Sequence, residues 1–474
     1  MKCLLFNVTY DSEVSRTLGV YRMAHVLRNH SWDAEVIDFA TVWSLEQLKE
    51  LVKSRDPRNL KFIGFGSLFT LWSDTMEEFC RWIKSTYPDI VLIFGSQGTP
   101  LFESKFIDYY VKGFGEKALV ALLEYLFSNG KAVKYSLTNN VNKKIIPANV
   151  FYSTGFETDL IVKYEDRDFI QPGEWLAIEF SRGCRFKCSF CDFPFLGSTG
   201  DHSRSEHSFL EQVNDAYDRF GVTNYTVADS TFNDYTDKIT RYADAVEKLD
   251  FIPWFQGFIR ADLLITRPRD REELLRMNFL GHSYGIETFN RASGKTIGKG
   301  IDPDKLKDGI LEAKKYFLDN GRKLFRAHMS FISGLPYETK ESLADTAQWL
   351  KANWQDQTAS ARELIIFDDD PDNKSLLTLD YKKHGYTILE SLKDHPTYGL
   401  PWRNEHMDIY EAIDLADKLN YHGNKYLDMW SLPSLRLLGR DVKDRLSVTV
   451  KDHDQDSSVV DQFWKNYINK KLSM

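Results

Sequence analysis

The sequence predicts an α/β protein in which a doubly wound parallel sheet precedes six further strand–helix repeats and a mainly helical C-terminal extension. Short apolar runs alternate with amphipathic stretches over residues 1–130 and again over 175–367, which is the pattern of strands joined by crossover helices. The length of 474 residues suggests about three units. We expect these units at 1–130, 175–367 and 368–474, with a linker at 131–174.

The composition indicates an ordinary globular protein of a reducing compartment. Hydrophobic residues make up 42% and charged residues 27% of the chain. The chain has only five cysteines, and an odd number cannot all be paired, so we do not expect a disulfide framework. No run of eighteen apolar residues occurs and the first apolar run soon meets Asn7, so we expect a cytoplasmic location without a membrane span. The net charge of −8 gives no general attraction to nucleic acid, although a nucleic-acid substrate stays open.

The first unit should bind its ligands where its strands end. The strands are expected at Cys3–Val8, Glu35–Phe39, Lys61–Gly66, Ile90–Gly95 and Tyr109–Gly113. Parallel sheets of this kind bind ligands at the carboxyl ends of their strands. The candidates there are Ser67, Gly95, Gly98, Gly113, Gly115 and Glu116. Ordinary turns also use glycine, so a purely structural role for the glycines remains an alternative.

A cysteine-rich stretch follows the first strand of the second unit. After Trp175–Phe180, the spacing Cys-x3-Cys-x2-Cys places Cys184, Cys188 and Cys191 in one short loop. Thiolates suit zinc or iron–sulfur clusters, but a closed zinc site or a standard cubane needs four ligands. An open fourth position is typical of catalytic metal sites. A structural zinc completed by His202 or His207 remains the alternative.

The cysteine motif, with Phe190 before its last cysteine, resembles that of the radical S-adenosylmethionine (SAM) superfamily. In that family the three cysteines hold a 4Fe-4S cluster and SAM chelates the fourth iron. The resemblance implies an oxygen-sensitive enzyme that cleaves SAM reductively to methionine and a 5'-deoxyadenosyl radical, which takes a hydrogen atom from a substrate. It also implies an electron donor such as flavodoxin or ferredoxin.

The first unit resembles the cobalamin-binding Rossmann domain that precedes the catalytic domain in one subgroup of that superfamily. Val111–Glu116 resembles its last strand and Gly-x-Gly-Glu turn, and Ile63–Ser67 its third strand. The resemblance implies a cobalamin cofactor and methyl transfer to carbon or a rearrangement. This chain departs from that domain in two ways. It lacks the segment that supplies an axial histidine, since its first histidine is His25. It also has Gly95-Ser-Gln-Gly98 in place of paired glycines. A cobalamin-independent radical SAM enzyme for isomerisation, cyclisation or C–C chemistry is therefore the alternative.

The second unit resembles the partial (β/α)6 barrel, or partial TIM barrel, of radical SAM enzymes. Its strands are expected at Trp175–Phe180, Asn224–Ala228, Phe251–Phe258, His282–Ile286, Leu324–Phe331 and Glu363–Phe367. The resemblance assigns SAM contacts near the strand ends to Phe190, Asp229, Ser230, Arg260, Glu287 and Gly334. Asp229 could instead cap the next helix, and Arg260 and Glu287 could instead pair with each other.

Two further residues are candidates on the substrate side. Tyr284 could relay a proton or a hydrogen atom, and His328 could face the barrel interior, although a lone histidine on a strand is more often a core residue. The substrate, small or nucleotide-like, is not specified by the sequence, and we expect the C-terminal extension to cover the open side of the barrel. A non-enzymatic metal-binding or redox relay protein would leave the glycine turn at Gly334 unexplained.

Overall fold

The computed structural model describes residues 1–9, 15–67, 72–96, 104–128, 145–148, 158–191, 193, 197–198, 200–321, 325–366, 375–390, 399–422 and 450–474. The strands are β1 (Lys2–Asn7), β2 (Ser15–Arg16), β3 (Asp33–Ile37), β4 (Leu60–Gly66), β5 (Val91–Ser96), β6 (Tyr109–Lys112), β7 (Ile145–Pro147), β8 (Trp175–Ile178), β9 (Asn224–Val227), β10 (Trp254–Ile259), β11 (Phe279–Glu287), β12 (Arg326–Ser333), β13 (Thr358–Glu363), β14 (Thr387–Ile388), β15 (Trp402–Arg403) and β16 (Tyr421–His422). The helices are α1 (Leu18–Asn29), α2 (Leu45–Ser54), α3 (Asp74–Thr86), α4 (Glu116–Phe127), α5 (Glu206–Phe220), α6 (Thr236–Val246), α7 (Ala261–Thr266), α8 (Arg269–Arg276), α9 (Arg291–Thr296), α10 (Pro303–Asn320), α11 (Lys340–Asn353), α12 (Leu376–Leu379), α13 (Ile409–Leu419) and α14 (Val450–Leu472).

The first sheet is parallel throughout and has the strand order β3-β1-β4-β5-β6-β7. Its first five strands are those predicted, and Ser44 forms the expected capping box with Gln47 at the start of α2. The linker prediction missed β7, which continues the sheet beyond residue 130. This strand has only three residues and lies in polar sequence, so it carries no periodic signal.

The second sheet has the order β16-β13-β12-β11-β10-β9-β8-β2, and its six central strands are parallel as predicted. The predicted sixth strand was wrong, because the structure places β13 at Thr358–Glu363. The apolar run that suggested a later strand instead follows β13, where the Leu364 amide bonds the Ser333 carbonyl at 2.8 Å and the side chain fills the core.

The two units share this second sheet. Strand β2, which comes from the first unit, pairs in parallel with β8. Its Arg16 is fully buried and forms ion pairs with Asp38 at the end of β3 and with Glu174, the latter with an Nε to Oε2 distance of 2.6 Å. The edge strand and this ion-pair cluster fix one unit against the other.

The faces of the second sheet alternate between the helix layer and the barrel interior. His282 and Tyr284 lie on the helix side, where the His282 ring packs against Phe317 of α10 at 4.6 Å. Ser283 and His328, which are paired neighbours on β11 and β12, therefore lie on the interior face.

Two segments of the C-terminal extension pack on different units. Residues of the 399–422 segment pack on the barrel, with Trp402 buried against the Gly334 turn. Helix α14 instead packs on the first sheet, where Tyr467 stacks edge-on with Phe39 and Trp43. The expectation that residues 368–474 cover the barrel is therefore corrected for α14, whose apolar side chains complete the core of the first unit. Within the described residues, no helix has the length and apolar composition needed to cross a membrane.

Candidate active site

The cysteine loop lies at the carboxyl ends of β8, β9 and β10. Cys184 and Cys188 are each 9% exposed, and Cys191 is half-buried. The loop is held by backbone hydrogen bonds, among them Gly197 N to Cys184 O at 2.6 Å and Cys191 N to Cys188 O at 3.1 Å. All three cysteines thus lie in one loop of backbone turns, as a metal-binding loop requires.

Two of these cysteines contact residues that follow neighbouring strands. The Cys184 sulfur lies 3.6 Å from the Thr231 hydroxyl, after β9. The Cys188 sulfur lies 3.6 Å from Nη1 of Arg260, after β10. A hydroxyl and a guanidinium both stabilise negative charge on sulfur, so the loop suits thiolate ligands.

The two predicted metal sites, a structural zinc and a 4Fe-4S cluster, need different arrangements of ligands. In the described part of the chain, no group of three or more His, Cys, Asp or Glu residues is close enough to hold one metal ion. The side chain of His207, a candidate fourth ligand of zinc, is 88% exposed and faces Glu211 at 3.9 Å. Three cysteines in one short loop fit a 4Fe-4S cluster, in which each thiolate binds its own iron.

Asp229 fastens β9 to the start of the cysteine loop. Its carboxylate accepts hydrogen bonds from the Phe180 amide at 2.7 Å and the Ser181 hydroxyl at 2.6 Å. Burial raises the pKa of Asp229 to about 6, against the opposing charge of Lys238 at 3.8 Å. Both oxygens are therefore already engaged, and neither caps the following helix. Asp229 therefore positions the start of the cysteine loop, and its contact with the SAM ammonium stays a prediction.

Ser230 and Phe190, two further residues predicted to contact SAM, are less buried than Asp229. Ser230 is half-buried, and its carbonyl accepts a hydrogen bond from the Thr231 hydroxyl at 2.8 Å. Phe190, before the last cysteine, is half-buried and packs against the core. Both predicted contact residues thus lie beside the cysteine loop.

Arg260 and Glu287 have separate partners, so the structure does not form the ion pair that the sequence left open. Arg260 donates to the Asp262 carboxylate at 2.9 and 2.7 Å and stacks on Phe186 with its guanidinium 3.7 Å from the ring centre. Glu287 instead lies 3.5 Å from Nζ of Lys299. Arg260 therefore joins the end of β10 to the cysteine loop.

Glu287 occupies an unusual backbone conformation at the end of β11. Its φ of +67° is in the left-handed region, which is costly for a residue with a side chain. Burial raises the pKa of Glu287, and Lys299 opposes this. The Lys299 ammonium also donates to the Gly285 carbonyl at 2.7 Å. Gly285 and Lys299 line an open cleft together with Asp262 and Thr288.

The glycine turn at Gly334 packs on the C-terminal extension. Gly334 has a φ of +84°, and a Cβ there would lie 2.4 Å from the Trp402 ring. Its carbonyl accepts a hydrogen bond from the Tyr386 hydroxyl at 2.6 Å. The turn therefore requires glycine on its Trp402 side.

The sequence analysis missed Glu338 in the same turn. This buried carboxyl accepts hydrogen bonds from the Thr288 hydroxyl at 2.6 Å and the Gly334 amide at 3.2 Å. Burial raises its pKa to about 8, so it is largely protonated at neutral pH. The sequence shows a glutamate directly after Gly-Leu-Pro-Tyr, but no local pattern indicates that this glutamate is buried.

The two substrate-side candidates are placed differently. Tyr284 is 1% exposed and its hydroxyl lies 2.8 Å from Nδ1 of His282 in the helix layer, which corrects the prediction of a catalytic relay. Burial lowers the pKa of His282 to about 3. His328 lies on the interior face, with Nδ1 2.9 Å from the Thr358 hydroxyl and Nε2 2.8 Å from the Ser360 hydroxyl.

The candidate residues of the first unit lie together at the carboxyl ends of its strands. The Ser67 amide bonds the Gly95 carbonyl at 3.1 Å, and the Gly113 amide bonds the Ser96 carbonyl at 2.8 Å. Gly113 has a φ of +98°, and Gly115 directly precedes α4. Gly98 lies outside the described residues.

The side chain of Glu116 is buried at the carboxyl edge of the first sheet. Its carboxylate accepts from Nε of Arg22 at 2.9 Å and also pairs with Arg182, two residues before Cys184. Arg22 and Arg182 both pair with Glu179 as well, which closes a ring of four charged residues. The Arg182 guanidinium also lies over the Phe114 ring at 4.3 Å. No local pattern in the sequence indicated this ring, since Arg22, Glu116 and the Glu179–Arg182 pair are distant from one another along the chain.

Comparison with known proteins agrees with this geometry. Residues 178–350 match the sequence model of the radical SAM superfamily. An uncharacterized methyltransferase of Pyrococcus horikoshii is 24% identical over 380 residues, which are 74% of this chain and 78% of that protein.

Solved structures share the fold. The chain is similar to the radical SAM methyltransferase TsrM of Kitasatospora setae, solved with cobalamin and a [4Fe-4S] cluster, with a TM-score of 0.67, 15% identity and coverage of 96% of this chain and 99% of that one. It is also similar to the cobalamin-dependent radical SAM enzyme OxsB, with a TM-score of 0.56, 15% identity and coverage of 81% of this chain and 56% of that one. Residues 178–350 thus form a domain that matches the radical SAM superfamily, and the chain as a whole shares the fold of TsrM.

Proposed function

We propose that this enzyme uses a 4Fe-4S cluster, SAM and cobalamin to transfer a methyl group to a carbon atom of its substrate. The observation that carries the proposal is the junction between the units. Phe114 and Glu116, at the ligand-binding edge of the first sheet, both contact Arg182 of the cysteine loop. A cofactor held at that edge would therefore adjoin one held by the cysteines.

Similarity to known proteins supports both cofactors. TsrM, which aligns over nearly the whole chain, was solved with cobalamin and the cluster, and the relative from Pyrococcus horikoshii carries the name of a methyltransferase. Bound together, the cofactors supply a 5'-deoxyadenosyl radical from SAM and a methyl group from cobalamin.

The chain's own residues would hold and shield these groups. Cys184, Cys188 and Cys191 would bind three irons of the cluster, leaving the fourth for SAM. Arg260, held by Asp262 and stacked on Phe186, places a cation 3.6 Å from the Cys188 sulfur, where it would face the negative charge of the cluster's thiolates.

The strand ends would position SAM. Asp229 fixes the backbone of β8 where the cysteine loop begins. Glu287 and Lys299 form a buried pair beside the cleft, with a carboxylate suited to hydroxyl or amine groups and an ammonium suited to a carboxylate. Arg260, Glu287 and Gly334 remain our proposed SAM residues, with Ser230 and Phe190 beside them.

In the first unit, Ser67, Gly95, Gly113 and Gly115 would line the cobalamin groove. Their backbone turns lie at one edge of the sheet, and glycine allows close approach of a large ring. We assign Glu116 to the junction with Arg182 rather than to cobalamin, because both of its pairing arginines are buried with it.

Anaerobic reconstitution tests this proposal. The full chain would be loaded with iron, sulfide and hydroxocobalamin, desalted, and measured for iron and for cobalamin absorption. With a reductant or a flavodoxin-like donor, methyl-labelled SAM should then be consumed. We expect about one cobalamin per chain. Iron–sulfur absorption and 5'-deoxyadenosine formation without bound cobalamin would favour the cobalamin-independent alternative, and an absence of SAM cleavage with a full cluster would refute both.

A further inference from the structure

The floor of the barrel interior holds a group of unsatisfied polar atoms. Within the described part of the chain, no hydrogen-bond partner is present for Nε1 of Trp175, both amide atoms of Asn224, Oε1 of Gln256, and Nε and Nη2 of Arg326. None of these residues is more than 4% exposed. Buried polar groups are almost always paired, so a set of them in one region indicates a missing partner.

Strand register places these residues on one face and near one level. Asn224 pairs with Trp175, and Gly281 pairs with Gln256 on one side and Arg326 on the other. All of them share the face of Ser283 and His328, which is the interior face. They stand at or near the starts of their strands, at the end of the barrel away from the cysteine loop.

Glycine between Gln256 and Arg326 leaves no side chain to separate them. Oε1 of Gln256 lies 3.4 Å from the position that a Cβ of Gly281 would occupy. The unpaired acceptor of Gln256 therefore leans across Gly281 towards the strand that carries Arg326. A donor and an acceptor that have no partner among the described residues thus stand on either side of Gly281.

Arg326 is a buried cation that forms no ion pair with any described residue, and Asp356, which acts on its charge, is paired with Lys314. Among the described residues its Nη1 alone has a partner, the Phe325 carbonyl at 2.7 Å. Burial lowers its pKa to about 10, so it keeps its charge at neutral pH. The unpaired Nε and Nη2 are the parallel N–H pair that binds a carboxylate at two points.

Exposure along the interior face rises from this floor towards the cysteine loop. On the same face, Phe258 is 47% exposed near the end of β10, and Ile332 near the end of β12 is half-buried. Between floor and opening the face is polar, with Ser283, His328 and Thr358. A ligand that enters where the cofactors are expected could thus extend down to Arg326.

We propose that Arg326 anchors a carboxylate of the substrate at the floor of the barrel, while the side-chain carbonyls of Gln256 and Asn224 accept an N–H next to that carboxylate. The inference rests on the proposed function, because it names the class of molecule that the same barrel takes. From Arg326 to Ser333, β12 rises roughly 23 Å at about 3.3 Å per residue. The substrate is therefore elongated, with its reacting carbon far from a carboxylate that adjoins an amide or amine.

Binding of small probes to the full reconstituted chain tests this anchor without SAM or reductant. N-acetylglycine carries a carboxylate beside an N–H, N-acetylglycinamide is its neutral counterpart, and inorganic phosphate is a tetrahedral anion. We expect N-acetylglycine to bind at least about tenfold more tightly than the amide in calorimetry, since charge-assisted hydrogen bonds are the strong ones. Phosphate should bind no better than the amide.

Variants locate the preference. R326Q should reduce the ratio of the two affinities to about one, R326K should keep part of it as a point charge without the fork, and R58Q, at an arginine whose side chain is 92% exposed, should keep all of it. R326Q should melt no lower than the wild type, because it removes an unpaired buried charge.

Three results would overturn the anchor: equal binding of acid and amide by the wild type, tighter binding of phosphate, or an acid preference that survives R326Q. The wild-type comparison decides even if R326Q does not fold. Because the assay contains no SAM, failure of the anchor is separate from failure of the proposed function, which the cobalamin and SAM-cleavage measurements decide alone.

Discussion

The carboxylate of Glu116 pairs with the guanidinium of Arg182, 66 residues further along the chain, and both side chains are 2% exposed. This contact joins the ligand-binding edge of the first sheet to the cysteine loop. Arg22 and Glu179 complete the ring, so each charge in it has two opposite neighbours.

Replacing Glu116 with glutamine should destabilise the protein. E116Q leaves Arg22 and Arg182 with Glu179 as their one shared acidic partner in the ring, and breaking a buried ion pair costs about 3 kcal/mol. We expect denaturant unfolding to show a loss of that size, together with weaker cobalamin retention after desalting.

E46Q is the matched control for this change. Glu46 pairs with Lys49 at the surface and its side chain is 79% exposed, so its loss should leave stability unchanged. If E116Q unfolded at the same denaturant concentration as E46Q, the ring would not hold the two units together.

Each cysteine of the loop should be needed for the cluster. C184A, C188A and C191A should each lower the iron content and abolish 5'-deoxyadenosine formation, because a cubane with fewer thiolate ligands is not retained. Circular dichroism should show the wild-type fold. C80A is the control, since Cys80 is buried in α3 of the first unit and should leave iron unaffected. A loop variant with full iron and activity would contradict the assignment.

Alanine at Gly334 should be far more costly than alanine at Gly385. The two glycines have φ angles of +84° and +83°, but a Cβ would meet Trp402 only at Gly334, whereas nothing lies within 4 Å at Gly385. Left-handed backbone costs both variants about 1–2 kcal/mol, and crowding should add about 1–3 kcal/mol to G334A. Unfolding by urea measures both. Equal losses would mean that Trp402 moves aside freely.

Stability should fall as pH rises towards 8 because of Glu338. In the folded protein the pKa of this carboxyl is about 8, above the ordinary value of 4.5. Between pH 4.5 and pH 8 the folded protein therefore keeps a proton on Glu338 that the unfolded chain has lost. This group's contribution should therefore decline by about 1.4 kcal/mol per pH unit in that window and be absent above pH 8.

The variant E338Q isolates this effect. Its amide stays neutral at every pH and can still bond Thr288 and the Gly334 amide, so the difference in unfolding free energy between E338Q and wild type should grow from pH 6 to pH 8. A difference that stays constant over this range would show that Glu338 is already ionised in the folded protein.

Local patterns in the sequence predicted much of the fold. These patterns predicted the capping box at Ser44, five strands of the first sheet and five of the six barrel strands. The signals were the spacing of apolar residues and the residues that begin or end an element, all within a few positions of each other. The cysteine loop was equally local, because its three thiols need only a short stretch of chain to converge. Strand β13 was misplaced because its polar sequence precedes a buried apolar run.

The sequence by itself therefore determined the two kinds of sheet and the chemistry of the cysteine loop. Only the tertiary structure decided that β2 crosses to the barrel, that α14 returns to the first unit, and that Glu116 pairs with Arg182. It also decided that Nε and Nη2 of Arg326 find no partner among the described residues. Backbone periodicity is set by neighbours along the chain. Which distant charges share a buried space, and which are left without a partner, depends on how the elements are stacked.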